Sequence, residues 1–397
     1  MNLLEVVESC GAGVGRHVQK LCEGLAAEGH LVTVAYAPWR ADEAFLRFVA
    51  SWEDRISFVT LDAQREVSPI SDLRAFAQLV RLIRKRGPFD VIHGHSSKGG
   101  ALARIAGRTH GIPTVYTPHG LILASPRLSK TEYFVYAWIE RFLGHLATSK
   151  FIAVSEDESE FAIKIRLTSD KGVAVIENAI DDQDLEYLPE DVLDEDVSYK
   201  PLTFGSAMRF SYEKAPWQMV EAFVRLNSTL PQLPMRLVIA GDGMHTGDGE
   251  LFSDVRRQVE ESGLSDKILL LGWRSDVREV LRELDVFVVS SLTESGLSYA
   301  IMEAMAARLP IVSTDVFGTR RTLSKVPGNI LVPTGNPDAL AEGMKRMATL
   351  AEPKSLRDSL QEIGRANRDY VRTHFSQVET TRRTIELYRS LVGQKRQ

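Results

Sequence analysis

Cysteine is nearly absent: the chain has two, Cys10 and Cys22. Two thiols build neither a disulfide framework nor a metal-ligand cluster, so a reducing cytoplasm is the expected setting. No uninterrupted apolar run approaches the roughly 20 residues a bilayer span requires. The opening Met1-Asn2-Leu3-Leu4-Glu5-Val6-Val7 lacks a charged region, a long apolar region and a small-residue cleavage site. No signal peptide is therefore expected. Cationic excess is missing too, and a net charge of −5 argues against nucleic acid as a general partner. What remains is a globular composition over 397 residues, too long for one ordinary core and suggestive of two domains.

Charge is unevenly spread. From Arg81 to Arg108 the chain carries Arg84, Lys85, Arg86, Lys98 and Arg104, with Asp90 the only acid. Such a run is either a solvated face or a patch facing anionic lipid or phosphate. Residues 181–196 are the opposite, rich in Asp and Glu. With Pro189 and Pro201 nearby and little periodicity, they read as a linker.

Short apolar runs alternate with helical patterns, the signature of βαβ units and parallel sheets. The first half predicts strands at 3–7, 31–35, 56–61, 91–94, 114–117, 151–154 and 173–176, with helices at 14–28, 71–85, 99–109 and 131–147. After the linker, strands are predicted at 202–207, 236–240, 268–271, 286–290 and 311–314. Helices follow at 217–226, 251–262, 277–284, 299–307 and 337–349, and a last amphipathic helix at 378–392. The fold expected is α/β, two doubly wound domains at 1–180 and 200–377, with the C-terminal helix packing back on the first. Ligands of such folds bind at the carboxyl ends of the strands.

Several motifs fall at those ends. Gly11-Ala12-Gly13-Val14-Gly15 follows the first strand, and Gly13 and Gly15 would let backbone amides approach a phosphate or sugar oxygen. The alternative is a tight turn that merely needs glycine. It is not a dinucleotide fingerprint, because the third glycine comes one position early and the second strand ends without a ribose-binding acid. The fourth strand runs into His93-Gly94-His95-Ser96-Ser97-Lys98, with His95 and Lys98 as cleft candidates and an ordinary surface histidine as the alternative for His93. The fifth ends in Thr117-Pro118-His119-Gly120, where His119 is placed to meet a sugar hydroxyl or phosphate charge. No helical pair or carboxylate cluster completes a metal site. Asn178, after the seventh strand, is a further cleft candidate.

In the second half Arg209 and Lys214 lie five positions apart on one loop, the cation pair a diphosphate leaving group needs. The segment Glu294-Ser295-Gly296-Leu297-Ser298 leads into a helix whose N-terminus offers amides to phosphate. Glu303 lies inside that helix, where a carboxylate can accept from two ribose hydroxyls. An acid in so apolar a segment is hard to explain as core.

Together these segments resemble the retaining glycosyltransferases of family 4, which have the GT-B fold. The resemblance spans nearly the whole chain. It includes Tyr116-Thr117-Pro118-His119-Gly120, Val175-Ile176-Glu177-Asn178, the Arg209/Lys214 pair, Ala240-Gly241-Asp242-Gly243, Leu271-Gly272-Trp273-Arg274 and the glutamate helix. It implies that Arg209 and Lys214 hold the donor diphosphate and Glu303 the ribose. The loop Gly272 to Arg274 would flank the base, and His119 would face the transferred sugar.

No cofactor or metal is implied, the NDP-sugar (a UDP-sugar) being a substrate. The acceptor implied is a saccharide or lipid-linked saccharide of surface polysaccharide assembly. The setting expected is cytoplasmic, with peripheral contact to an anionic membrane at its inner face.

The sequence departs from the family pattern in two places. Eight residues separate Glu294 from Glu303 where the family has seven, leaving either Glu294 or Ser295 in the first-glutamate position. Ala215 stands where glycine usually follows the lysine, and Met208 where glycine usually precedes Arg209. A catalytically silent sugar-nucleotide-binding subunit is the rival reading. A nicotinamide oxidoreductase is disfavoured by the missing ribose acid.

Overall fold

The computed structural model describes residues 1–64, 68–125, 127–180, 185, 200–243, 249–351 and 357–395. The acidic linker of the sequence reading, 181–196, lies outside the described residues except for Leu185. Chain contacts divide the protein into two units, Met1–Ala179 with Gln377–Gln397, and Ile180–Ser376.

The first unit has strands β1 (Asn2–Val7), β2 (Leu31–Tyr36), β3 (Ile56–Thr60), β4 (Val91–His95), β5 (Thr114–Thr117), β6 (Lys150–Ala153) and β7 (Val173–Val175). They form one parallel sheet in the order β3-β2-β1-β4-β5-β6-β7. Its helices are α1 (Ala12–Ala27), α2 (Glu43–Trp52), α3 (Pro69–Arg86), α4 (Ser97–His110), α5 (Lys130–Ala147) and α6 (Glu156–Lys164). Strands buried on both faces carry continuous apolar runs, which is why they were legible. Helices α2 and α6 were not foreseen. Both are short, and their start signals are caps rather than periodicity: Asp42 accepts from the Phe45 amide and Ser155 from the Glu158 amide.

The second unit repeats the plan. Strands β8 (Leu202–Ala207), β9 (Met235–Ala240), β10 (Ile268–Gly272), β11 (Val286–Val289), β12 (Ile311–Thr314) and β13 (Ile330–Val332) form a parallel sheet in the order β10-β9-β8-β11-β12-β13. Around it lie α7 (Pro216–Thr229), α8 (Gly249–Glu261), α9 (Val277–Arg282), α10 (Tyr299–Ala306), α11 (Thr319–Leu323), α12 (Pro337–Leu350) and α13 (Arg357–His374). The final helix, α14 (Gln377–Lys395), belongs to the first unit. Its Ile385, Tyr388 and Leu391 join Leu3, Val18 and Leu25 in one apolar core.

In both sheets the strand order reverses beside the first strand of the unit, at β1/β4 and at β8/β11. Chains leaving two strands at such a point diverge and leave a crevice at their carboxyl ends.

The basic stretch from Arg81 to Arg108 is not one patch. Arg84, Lys85 and Arg86 fill the last turn of α3, where cations complement the helix dipole. Lys98 pairs with Asp72 of α3 at 2.8 Å and donates to the Gln64 carbonyl. Arg104 is buried, 2.8 Å from Glu140 of α5 and stacked over the Tyr116 ring at 3.9 Å. Helical periodicity sends these side chains in different directions, and a buried guanidinium needs its carboxylate.

Candidate active site

The loop after β8 is built by backbone bonds to its neighbours. The Met208 amide donates to the Ala240 carbonyl and the Phe210 amide to the Asp242 carbonyl. Gly241 lies against Met208 with φ of +132°, and a Cβ there would sit 1.7 Å from the Met208 carbonyl oxygen. Only glycine permits this approach. Gly241→Ala should therefore displace the chain carrying Arg209, lowering both the melting temperature and affinity for nucleotide diphosphates. Unchanged nucleotide binding in a folded variant would show that Arg209 does not depend on this contact.

Past Arg209, a 3₁₀ turn, Tyr212–Lys214, presents Lys214, and Ala215 follows in the left-handed region with φ of 46°. That conformation accounts for glycine being the usual residue there, and alanine adopts it under strain. Lys214 forms an ion pair with Glu294, whose carboxylate also accepts from the Ser291 hydroxyl at 2.8 Å. The Ser290 hydroxyl donates to the Lys214 carbonyl and the Leu292 amide to that of Glu213. The two loops flanking the β8/β11 reversal are thus tied together. Between the cations, Ser211 is buried and its hydroxyl has no hydrogen-bond partner among the described residues. A buried hydroxyl normally has one, and sequence reasoning passed this residue over.

Ser295, Gly296, Leu297 and Ser298 form the loop into α10, with Leu297 buried and Ser298 at the N-cap. Gly318, with φ of +79°, packs so closely that a Cβ would lie 2.3 Å from the Gly296 carbonyl carbon. Glu303 sits half-buried mid-helix between the buried Met302 and Ala304. Gly272 takes φ of +67°, and its carbonyl accepts from the Gly241 amide. Arg274 is exposed and grips Asp276 with two bonds of 2.8 and 2.6 Å. A base-flanking role for it has to compete with that fork.

The first unit brings together a buried polar network. Glu5 of β1 and His93 of β4 are register partners, and His95 shares the face of His93 two residues on. His95 Nε2 is 2.8 Å from Glu5 Oε2, and His95 Nδ1 is 3.0 Å from His119 Nε2. Tyr388 of α14 donates to Glu5 Oε1 at 3.1 Å. His93 bridges the Tyr388 hydroxyl and Thr117. The surface alternative for His93 falls away, since the residue is buried, and His95 is the buried last residue of β4 rather than a residue beyond it. Glu5, His17 and Tyr388 went unmarked, although an acid in Leu3-Leu4-Glu5-Val6-Val7 was a readable signal.

Burial pushes Glu5 up to about 8 and His17 and His95 down to about 3, with His93 and His119 well below the usual range. The His95 charge adds to the effect on His17, and a hydrogen bond with Asn178 opposes it. A protonated Glu5 donates to His95 Nε2, and His95 Nδ1–H then donates to His119. Loss of that proton reverses both bonds. His119 itself is held at φ of 55°, a left-handed conformation uncommon outside glycine and typical of functional sites.

Two groups could hold a metal ion, His17 with His95 and His119, and Glu5 with His93 and His95. Spacing along the chain gave no hint of either. The first-turn glycines fare differently from expectation. Gly13 and Gly15 lie inside α1, not in a loop. The Gly15 amide bonds the Gly11 carbonyl, and a Cβ on Gly15 would lie 2.1 Å from the Cys10 carbonyl oxygen. Asp42 already takes the Ala12 amide at 2.8 Å. The turn serves close packing and carries its own carboxylate.

Residues 11–184 match the model of Glycosyltransferase Family 4, and residues 201–349 that of the Glycosyl transferases group 1. The Escherichia coli UDP-Gal:alpha-D-GlcNAc-diphosphoundecaprenol alpha-1,3-galactosyltransferase is 30% identical over 294 residues, 71% of this chain and 72% of that one. The chain belongs to glycosyltransferase family 4. The fold agrees. A glycosyltransferase from Rickettsia africae superimposes with a TM-score of 0.77 at 18% identity, covering 98% of both chains. Anabaena HepE, solved in complex with UDP-glucose, gives 0.76 at 19% identity over 98% of this chain and 99% of its own. The two parallel sheets are those of a GT-B glycosyltransferase.

Proposed function

We propose that this glycosyltransferase moves a sugar with retention from a UDP-sugar to a hydroxyl of a lipid-linked saccharide, in surface polysaccharide or glycoconjugate assembly. The observation that carries the reading is the loop Arg209–Ser211–Lys214 at the β8/β11 reversal, with Glu294 drawn onto Lys214. The Escherichia coli relative, named for UDP-Gal and a diphosphoundecaprenol-linked acceptor, supports the donor and acceptor classes.

In this mechanism Arg209 and Lys214 neutralise the diphosphate as the anomeric C–O bond breaks, with the Ser211 hydroxyl donating to it. The acceptor oxygen bonds the anomeric carbon on the same face, and its proton passes to the departing phosphate oxygen. Glu303 accepts from the ribose hydroxyls, and the Gly272 loop flanks the base. Glu294 positions Lys214 and reaches the sugar, in preference to Ser295. The second unit is then the nucleotide-sugar domain. The first takes the acceptor, with His119 meeting sugar hydroxyls.

Calorimetry with free UDP, paired with transfer assays, tests this. Glu303→Ala should lose about tenfold or more in UDP affinity, the worth of a charge-assisted hydrogen bond. Glu294→Ala should bind UDP near normally and lose transfer. Normal UDP binding by Glu303→Ala would remove the nucleotide assignment. The cation pair takes the role a metal plays elsewhere, so transfer should survive exhaustive chelation; strict dependence on magnesium or manganese would contradict it.

A further inference from the structure

Helix α5 exposes an unusual amount of apolar surface. Phe134 is 72% exposed, Trp138 61%, Leu146 54%, Phe142 51%, Val135 46% and Ile139 38%. At 3.6 residues per turn these six fall within an arc of about 140° on one side of the helix. Trp138 and Phe142 stack, their ring centroids 5.5 Å apart. The opposite side holds the buried Ala137, Glu140 and Leu143. Scattered exposed apolar residues are ordinary, but a contiguous stripe of this size marks an interaction surface.

Charge decides the occupant. Lys130, Arg141 and His145 border one edge of the stripe. Arg141 is braced by its bond to the Ile165 carbonyl, and His145 by that to Arg166. Arg108 is exposed at the end of α4, which packs on α5. The acids of the helix are committed elsewhere, Glu132 to the capping box with Ser129 and Glu140 to the buried Arg104. A second copy docking by the same face would set Lys130, Arg141 and Arg108 against their own counterparts, with Glu132, held in its capping box, the one exposed acid of the helix beside them. Aromatic and aliphatic residues on one side with Lys and Arg along the border match a helix lying in the interface of an anionic bilayer.

We infer that the outer face of α5 docks this glycosyltransferase onto anionic membrane surface, with Phe134, Trp138 and Phe142 entering the headgroup region. This rests on the lipid-linked acceptor proposed above and replaces the 81–108 stretch as the contact surface.

Sedimentation with phosphatidylglycerol vesicles, compared with phosphatidylcholine vesicles, provides the test. Wild type should bind the anionic vesicles and release partly as salt rises. The triple variant Phe134→Ser, Trp138→Ser, Phe142→Ser should bind at least about tenfold more weakly, since most of the buried apolar area is gone. Vesicles of brominated lipid should quench tryptophan fluorescence in wild type. The single variant Trp138→Phe should keep binding and lose that quenching.

Calorimetry with UDP and transfer to a water-soluble acceptor should be unchanged in every variant. Loss of those signals in wild type would sink the proposed function and leave the membrane result standing. Undiminished vesicle binding by the triple variant would overturn the inference. So would a wild-type dimer, seen by sedimentation velocity, that the triple variant abolishes without any change in vesicle binding.

Discussion

Lys214→Ala should slow transfer by roughly 10²–10³-fold, the cost of losing one group that stabilises developing charge in a preorganised site. Arg209→Ala should lose a similar amount. The reason is local. Charge builds on the diphosphate only as the glycosidic bond breaks, so a fixed cation contributes more in the transition state than in the bound donor. The loss should therefore weaken donor binding and fall more heavily on kcat.

Lys214 has a second distinction, its ion pair with Glu294. Removing the lysine leaves a carboxylate, mostly shielded from water, without its cation, and on the proposed reading it then faces the donor phosphates. Glu294→Ala in the Lys214→Ala background should then cost less than it does in wild type. A double-mutant cycle with turnover as readout measures that coupling. Additive losses would mean that the pair does not act as a unit. Wild-type turnover in both Lys214→Ala and Arg209→Ala would place the diphosphate elsewhere.

The stability of the first unit should pass through a maximum near pH 6.5 and fall on both sides. His17 and His95 are held neutral, each down to about 3. Below 6.5 the unfolded chain binds protons that the folded one refuses, so stability is lost as pH falls through that window. Each histidine contributes on the order of 2 kcal/mol between its ordinary pKa and about pH 5. His93 and His119 act in the same direction.

Glu5 and Glu158 work oppositely. Burial raises Glu5 to about 8, against a hydrogen bond from Tyr388, and Glu158 to about 7, against bonds from the amides of Val154, Gly120 and Leu121. Between 4.5 and those values the folded state holds protons that the unfolded state has released, so stability declines as pH rises. Below 6.5 five histidines, His30 among them, outweigh two carboxyls; above it the shifted groups still titrating among the described residues are the two carboxyls. Urea midpoints across about pH 5 to 8.5 report the curve. Glu5→Gln should flatten its alkaline side. A midpoint that climbs steadily to pH 8 would mean that Glu5 is ionised in the folded protein.

Much of this was legible in residue order. The parallel strands announce themselves because burial on both faces demands unbroken apolar runs, and among the described residues only the three-residue β13 escaped. Arg209 and Lys214 stand out as candidates because both lie on one loop, and Glu303 because a carboxylate in an apolar helix needs a reason. Helices α2, α6, α11 and α13 were missed. The first three are short, and α13 is strongly amphipathic yet poor in apolar residues over Arg357–His374. The glycines of 11–15 read two ways, since a helix that starts one residue after Gly11 needs glycine for close packing as readily as a phosphate loop does.

The sequence alone determined the family, the alternation of strand and helix, and the residue types at the ends of individual strands, because all of these depend on neighbours along the chain. Tertiary structure decided which ends meet. Strand order in a parallel sheet is set by crossover packing, and no local pattern reports it. Only that order places β1 beside β4, giving Glu5 to His95 and Tyr388, 383 residues away in sequence. It also places β8 beside β11, giving Lys214 to Glu294. The same holds for charge. Arg81 to Arg108 reads as one basic run, yet folding buries Arg104, pairs Lys98 and leaves the apolar side of α5 to the solvent, because burial is a property of what packs above a residue and not of what precedes it.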